Sequence, residues 1–479
     1  MVFKQRNANE TRTKIVCTIG PASCDEETLR SLIREGMDVA RVNLSHGTKE
    51  EHEEVIERIR RLADEEEAVV AILADLPGPK LRIGRLASPL DLRAGDWIAF
   101  TTGDADGAHH VIPLLYPELV AGARVGGRWI LGDGSVEVLV REVRPDLVVA
   151  KVLAGGSLSS HKGVHVPGVS LAALTDADRA WARFAIRQGV DFLALSFVRV
   201  GDDVRELQAL CREEPGGFDV GIVAKIERRD ALEDLDDILD AADAVMIARG
   251  DLGLEIPPQE VPSRQKEIIR RCNQLGIPVV TATQMLLSMI DRPRPTRAEA
   301  SDVANAILDG TDAVMLSEET AVGRYPARAV AMMREISAIT EASAETFGRE
   351  SAVQAEEATR VSNAISAATV LVAEAVGARL IACVTASGYT ARRVSRERPL
   401  HPILALTSDD AVLRRLALVW GVTPLRMPSA ESADEMLTVA ATALTDAGFV
   451  EAGDLIVVTA GLPAGGRGTT NVLKVHPIE

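Results

Sequence analysis

Residues 219–251 read DVGIVAKIERRDALEDLDDILDAADAVMIARGD, two short apolar runs flanking an amphipathic, acidic stretch. The runs 219–226 and 243–249 are too short for helices and rich in Val, Ile and Ala, whereas 229–241 carries a helical pattern. One β–α–β unit is therefore written here, and the same alternation extends in both directions. Further strands are expected at 13–19, 37–44, 68–75, 190–197, 278–284 and 312–318. Helical patterns fall at 25–35, 48–66, 175–188, 202–213, 260–275, 297–309 and 326–343, and Thr175 with Asp178 forms a capping box. Eight such units in succession predict a closed (β/α)8 TIM barrel, with an open doubly wound sheet as the alternative.

The rhythm breaks once. From about Lys80 to Leu171 the helical signals vanish and turn-rich β patterns take over (AGDWIAF, GGRWILGDGSVEVLVREV, PDLVVAKVLAGG). This reads as an all-β domain inserted at the mouth of the barrel, where it is placed to act as a lid. After Ser351 a second alternation of strands and helices describes a separate, open α/β domain. The expected division is barrel at 1–79 and 172–346, lid at 80–171, and C-terminal domain at 347–479.

Composition narrows the function. The 479 residues are 47% hydrophobic, enough for several domain cores, and 53 Lys and Arg stand against 70 Asp and Glu, a net charge of −17. So acidic a surface repels nucleic acid and anionic membranes, and an anionic substrate must be captured by a local basic site. Five cysteines without CxxC spacing exclude a Cys-type zinc site or a disulfide framework and fit a reducing cytoplasm. The N-terminus, Met1 to Arg12, lacks a signal-peptide core, and no stretch has the roughly 20 apolar residues of a membrane span.

Barrel active sites are built from the C-terminal ends of strands. Those ends carry Arg41, Asn43, Ser45 and His46; Asp75, Lys80 and Arg82; Lys225 and Glu227; Arg249, Gly250 and Asp251; Thr283; and Glu318 and Glu319. Lys225 and Glu227 lie two apart on a strand and point the same way. They form either a plain ion pair or part of a site in which Glu227 and Asp251 hold a hard divalent cation. Lys225 is then left to neutralise a phosphoryl group, and Arg41 and Arg82 to grip phosphate. A cation site with several basic groups and no activated Ser, Cys or His nucleophile points to phosphoryl transfer. No GxxxxGK[ST] is present, so a P-loop is not the cradle. His109, His110, His161 and His165 lie in the lid without matched metal-ligating partners, and Met332-Met333 reads as helix core.

The segments TKIVCTIGPAS, MDVARVNLSHGT, VAKIERRDALEDLDDIL, DAVMIARGDLGLEIP, the long run TATQMLLSMIDRPRPTRAEASDVANAILDGTDAVMLSEETAVGRYP, and GTTNVLKV resemble pyruvate kinase from about Thr11 to Val475. The resemblance implies a barrel, a lid and a C-terminal regulatory domain, and a reaction of phosphoenolpyruvate with ADP to give pyruvate and ATP. It implies that Arg41 and Arg82 bind the substrate phosphate and that Lys225 stabilises the phosphoryl group in flight. It further makes Glu227 and Asp251 the ligands of Mg2+ or Mn2+, Thr283 the residue linked to protonation of the enolate, and Glu319 the distal acid of that relay. Asn43, His46, Lys162 and Gly250 match substrate- or nucleotide-contacting positions, and Asp133 matches an aspartate of the lid.

One departure changes an expectation. Potassium-dependent members carry a glutamate where this chain has Lys80, in Gly78-Pro79-Lys80. Asn43, Ser45 and Asp75 still match the monovalent-cation ligands, so they mark a vestigial potassium site whose charge the Lys80 ammonium replaces. K+ is then not required; the alternative is that Lys80 only faces solvent on the lid hinge. A second departure, Glu318 where many members have Gly, adds a charge beside Glu319.

In the C-terminal domain, Thr385, Ser387, Gly388 and Thr390 follow a strand and open a helix, either as a capped start or as an anion site. Gly468 and Thr469 belong to a second glycine-rich turn near the chain end. The resemblance implies that these loops take a phosphorylated effector, a sugar phosphate or AMP, and that the protein is a cytoplasmic homotetramer. Two rival functions are a lyase acting on a phosphoenolpyruvate or pyruvate enolate, and a silent paralogue that only binds metabolites. The first needs neither lid nor C-terminal domain, and the second should have lost Lys225, Glu227, Asp251 or Thr283.

Overall fold

The computed structural model describes residues 11–79, 81–132, 134–166, 169, 171–347, 360–430, 432–462 and 469–479. Eight parallel strands close a barrel: β1 (Lys14–Ile19), β2 (Val39–Asn43), β3 (Ala71–Asp75), β4 (Phe192–Leu195), β5 (Gly221–Ile226), β6 (Ala244–Ala248), β7 (Val279–Ala282) and β8 (Ala313–Leu316). Each pairs with its neighbours in sequence, and β8 closes on β1 through Lys14 opposite Ala313. Outside the ring, helices at 49–65, 176–187 and 297–308 each open on a capping box, Thr48/Glu51, Thr175/Asp178 and Thr296/Glu299. Such boxes satisfy two otherwise orphaned N–H groups.

Register at the barrel floor is fixed by a repeated device. An aspartate stands immediately before each even-numbered strand: Asp38, Asp191, Asp243 and Asp312. The four carboxylates accept the backbone N–H of Ile15, Ile72, Ile222 and Val279, at the start of the preceding odd-numbered strand, at 2.7–3.0 Å. In return each aspartate's own N–H donates to the carbonyl of that same residue. A two-point clamp at every second strand leaves little freedom for slippage.

The inserted domain follows β3. Its mixed six-stranded sheet has the order 164–165, 128–131, 136–143, 147–154, 97–101 and 111–113, around a core that includes Phe100 and Trp129. An α-helix at 117–121 and a 3-10 turn at 108–110 depart from the all-β reading. The C-terminal domain is a five-stranded sheet of order β11 (Val422–Arg426), β10 (Ile403–Thr407), β9 (Leu380–Val384), β12 (Leu455–Ala460), β13 (Val472–Pro477), with only β13 antiparallel.

Two expected helices are interrupted. The one at 229–241 breaks at Asp234, whose carboxylate instead accepts the N–H of Gly201. In the C-terminal alternation, the helical stretch that the sequence suggests over 409–420 stops at Arg415 and tightens into a 3-10 turn, Leu416–Leu418. That turn drives Ala417 and Leu418 into the barrel floor, in one buried cluster with Val16, Phe192, Met246 and Met315. No described helix is long and apolar enough to cross a membrane.

Candidate active site

The expected strands at 190–197 and 278–284 overrun the real ones, which end at Leu195 and Ala282. Beyond those ends Phe197, Thr283 and Gln284 turn to φ of 56°, 69° and 56°. A β-branched residue at positive φ is a true outlier, and such conformations gather where function demands them.

Asp75, at the end of β3, organises the basic groups. One carboxylate oxygen takes Arg41 Nε and Nη2 at 2.7 Å; the other takes Lys225 Nζ at 3.2 Å. Arg41 also donates to Thr18 Oγ1 at 2.9 Å. Lys225 further donates to Ser196 Oγ at 2.7 Å and pairs with Glu227 Oε1 at 3.0 Å, while Phe197 N–H donates to Glu227 Oε2 at 2.7 Å. Burial opposes ionisation of Asp75, but Lys225 and Arg41 overcome it and hold the carboxyl below its ordinary range. Burial also works against the Lys225 ammonium, and Asp75 and Glu227 more than compensate, so it stays charged.

Glu227 behaves in the opposite way. Burial raises its pKa; Lys225, shared with Asp75, only partly offsets this, and Asp251 raises it again. Asp251 sits in the first turn of the helix Arg249–Glu255 and lines the same cavity beneath the lid as Glu227, with Pro79, Gly163, His165 and Phe197. Two carboxylates lining one cavity suit a divalent cation. Among the described residues no cluster of three or more His, Cys, Asp or Glu side chains is placed for a metal, so water and substrate would complete its shell. Mg2+ prefers that arrangement.

Thr283 and Glu319 are held by backbone. Thr283 Oγ1 accepts Gly250 N–H at 2.9 Å. Glu319 is buried, which raises its pKa, and its oxygens accept Leu286 N–H at 3.0 Å and Ser317 N–H at 2.7 Å. It thereby ties the loop after β7 to the end of β8. Asn43 Oδ1 caps Ser45 N–H at 3.2 Å, and the His46 carbonyl is bonded to His52 Nε2 at 2.8 Å. Sequence reasoning missed His52; its burial among Trp181 and its helix gives no motif signal.

Arg82 and Lys162 belong to the lid's base. Arg82 bridges Gly163 and donates to the His161 carbonyl at 2.8 Å, and Lys162 O accepts Ile83 N–H. The structure brings Arg41, Asp75, Lys225 and Glu227 into one network, with Arg82 bonded within the lid instead. Lid and barrel meet where Arg228 Nη2 donates to Val169 O at 3.1 Å and His165 Nδ1 stands 3.3 Å from Glu255. Lys80, Asp133 and Gly468 lie outside the described residues.

In the C-terminal domain Thr385, Ser387, Thr390 and Thr469 line a cavity of about 220 Å3 that also exposes Thr407, Ser408 and Ser429. Gly388, at φ 79°, opens the helix Tyr389–Arg396, and Thr390 Oγ1 and Thr470 Oγ1 are hydrogen-bonded at 2.9 Å.

Comparison with known proteins agrees with this geometry. Residues 10–330 match the family model for the pyruvate kinase barrel domain, and 363–476 match that for the pyruvate kinase alpha/beta domain. The chain is similar to the pyruvate kinase of Geobacillus stearothermophilus, 47% identical over 473 residues, covering 98% of this chain and 80% of that protein. Against the pyruvate kinase of Agrobacterium vitis it is 45% identical over 474 residues, covering 98% and 97%. A crystal structure of a pyruvate kinase from Cryptosporidium parvum superposes with a TM-score of 0.89 at 35% identity, covering 100% of this chain and 98% of that one.

Proposed function

Because the chain belongs to the pyruvate kinase family, and so to the phosphotransferases, we propose that it transfers the phosphoryl group of phosphoenolpyruvate to ADP, dependent on Mg2+ but not on K+. The observation that carries this reading is the Arg41–Asp75–Lys225–Glu227 network, with Asp251 beside it.

Arg41 takes the substrate phosphate, its guanidinium oriented by Asp75 and Thr18. Lys225, kept charged and aimed by Asp75, Ser196 and Glu227, meets the phosphoryl group between the two oxygens that exchange it. A preorganised cation in so dry a setting is worth about 3 kcal/mol of barrier. Glu227 and Asp251 would hold the divalent cation, which when bound supplies charge neutralisation to the phosphoryl and enolate oxygens. Loss of the phosphoryl group leaves the enolate of pyruvate. A proton then arrives at its methylene carbon from the side of Thr283, whose loop is anchored by Glu319, a carboxyl whose pKa burial raises. The lid excludes water, as transfer to ADP rather than to solvent requires.

Both Asp75 oxygens are already engaged by Arg41 and Lys225, which supports a site completed without a monovalent cation. In this reading Lys80 brings the charge that K+ would otherwise supply beside Asn43 and Ser45. The division at 79/80, 171/172 and 346/347 goes with it. So does a C-terminal cavity for a sugar phosphate or AMP, held by Thr385, Ser387, Gly388, Thr390 and the 468–469 turn. Exposed Leu308, Ile339, Val361 and Leu371 favour a homotetramer that covers them.

The test is pyruvate formation from phosphoenolpyruvate, ADP and Mg2+ in potassium-free buffer. Full turnover without K+, and K+-dependent turnover in Lys80→Glu, are the expected results. Activity of the unaltered protein only after K+ is added would refute the lysine substitution, and absence of activity in both buffers, with sugar phosphates and AMP present, would favour the silent paralogue.

A further inference from the structure

Thr283 occupies a conformation that its own chemistry disfavours, and so does its neighbour Gln284, at φ of 69° and 56°. Something must hold them there. Arg249, at the head of the helix Arg249–Glu255, turns its nearly buried guanidinium away from the cavity and onto this turn. Its Nη2 donates to Thr283 O at 2.7 Å and its Nε to Ala282 O at 3.3 Å. Asp302, on the outer helix Arg297–Leu308, receives the other edge of the fork at 2.7 and 2.8 Å. Gln265 Oε1 accepts a further bond at 3.4 Å.

We infer that Arg249 is a positioning residue for the protonation step: it pins the carbonyls of Ala282 and Thr283, before and after the Thr283 Cα, and so aims the Thr283 hydroxyl. Only a planar, multidentate donor can do this. The two carbonyls and the carboxylate lie on different edges of one guanidinium, and a lysine ammonium would satisfy one of them as a point charge. The adjacent residue closes the geometry, since Gly250 N–H donates to Thr283 Oγ1. Arg249 therefore fixes the backbone of Thr283 while its neighbour fixes the side chain.

The inference rests on the reading that Thr283 serves protonation of the enolate, and the experiment separates the two. Pyruvate methyl protons exchange with deuterium when the enzyme removes a C3 proton to give the enolate and returns a deuteron from solvent, so exchange reads this half-reaction without phosphoryl transfer. Arg249→Lys is expected to lower kcat by about 100-fold, the cost of a misplaced reacting group. The exchange rate should fall in parallel, with KM for phosphoenolpyruvate nearly unchanged. Asp302→Asn, a milder change that leaves Arg249 in place, should lower both rates by a smaller factor, and it decides the matter if Arg249→Lys does not fold. In a Thr283→Ala background, Arg249→Lys should cost little more, because the group it positions is gone. An equal loss from Arg249→Lys in both backgrounds, or a fall in kcat with exchange intact, would overturn the role of Arg249. Unchanged exchange in Thr283→Ala alone would instead overturn the parent reading.

Discussion

At the scale of single residues, the loop after β2 shows how a side chain outside the site governs groups inside it. His52 is 9% exposed, packs edge-on against Trp181 at 5.6 Å, and donates Nε2–H to the carbonyl of His46 at 2.8 Å. Burial lowers its pKa below the ordinary 6.5, against the pull of the His46 carbonyl and Glu51. The sign follows directly. Below pH 6.5 the unfolded chain binds a proton that the folded protein resists, so this contribution to stability is present above that pH and is lost as pH falls. His52→Gln keeps an N–H donor for His46 but cannot titrate. Its denaturant-unfolding free energy between pH 7.5 and 5.5 should therefore fall less steeply than that of the unaltered protein, by no more than about 1.4 kcal/mol per pH unit. Parallel slopes would show that His52 carries no part of the acid response.

At the scale of elements, the sequence made the periodic parts legible and hid the parts set by tertiary contact. Strand Lys14–Ile19 and helix Arg297–Leu308 match their sequence readings to within one residue, because periodicity and caps specify them locally. Lys225, Glu227 and Asp251 were readable because strand ends and parity place them. The turn at Thr283, the clamp by Arg249 and the tie from Glu319 to Leu286 were not, since each depends on a partner from another βα unit. The lid hinge joins both kinds of information. Gly78 has φ of 66°, and a Cβ there would stand 2.8 Å from Ser196 Cβ and 2.9 Å from Phe197 Cδ2. Its N–H donates to Asp178, the buried member of the Thr175 capping box. Gly78→Ala should cost about 1–2 kcal/mol for the backbone and about 1–3 for the overlap. It should also depress kcat, because Ser196 is a partner of Lys225. Thr175→Ala, at the far side of the same contact, should cost about 1 kcal/mol with kcat retained. Thermal unfolding and steady-state rates for the two variants check this, and equal rates in both would remove the hinge from the mechanism.

At the scale of the whole molecule, the barrel and the C-terminal domain share one structure at the floor. Leu418, fully buried, fills the bottom of the barrel beside Phe192 and Met246, and C-terminal arginines meet the clamp carboxylates. Arg414 reaches Asp191 at 2.6 Å, joined there by Arg60, and Arg398 reaches Asp312 at 3.1 Å while stacking on Trp420. Lys14 pairs with Asp38 and donates to Val422 O at 2.8 Å. The helix Tyr389–Arg396 spans this junction, with Thr390 on the C-terminal cavity and Arg396 bonded to Gln274 O of the barrel. Because Asp312 clamps the start of β7 and immediately precedes β8, and Thr283 and Glu319 follow the ends of those strands, a shift of the C-terminal domain bears on the strands that carry Thr283 and Glu319. Leu418→Ala leaves a cavity lined by both domains and should cost about 2–5 kcal/mol. Calorimetry should then show the unfolding of barrel and C-terminal domain moving down together, and hydrogen exchange should quicken at the first residues of β4 and β8 as well as around 416–420. If only the C-terminal amides quicken while those of β4 and β8 keep their protection, the floor is a passive contact and the two domains are energetically separate.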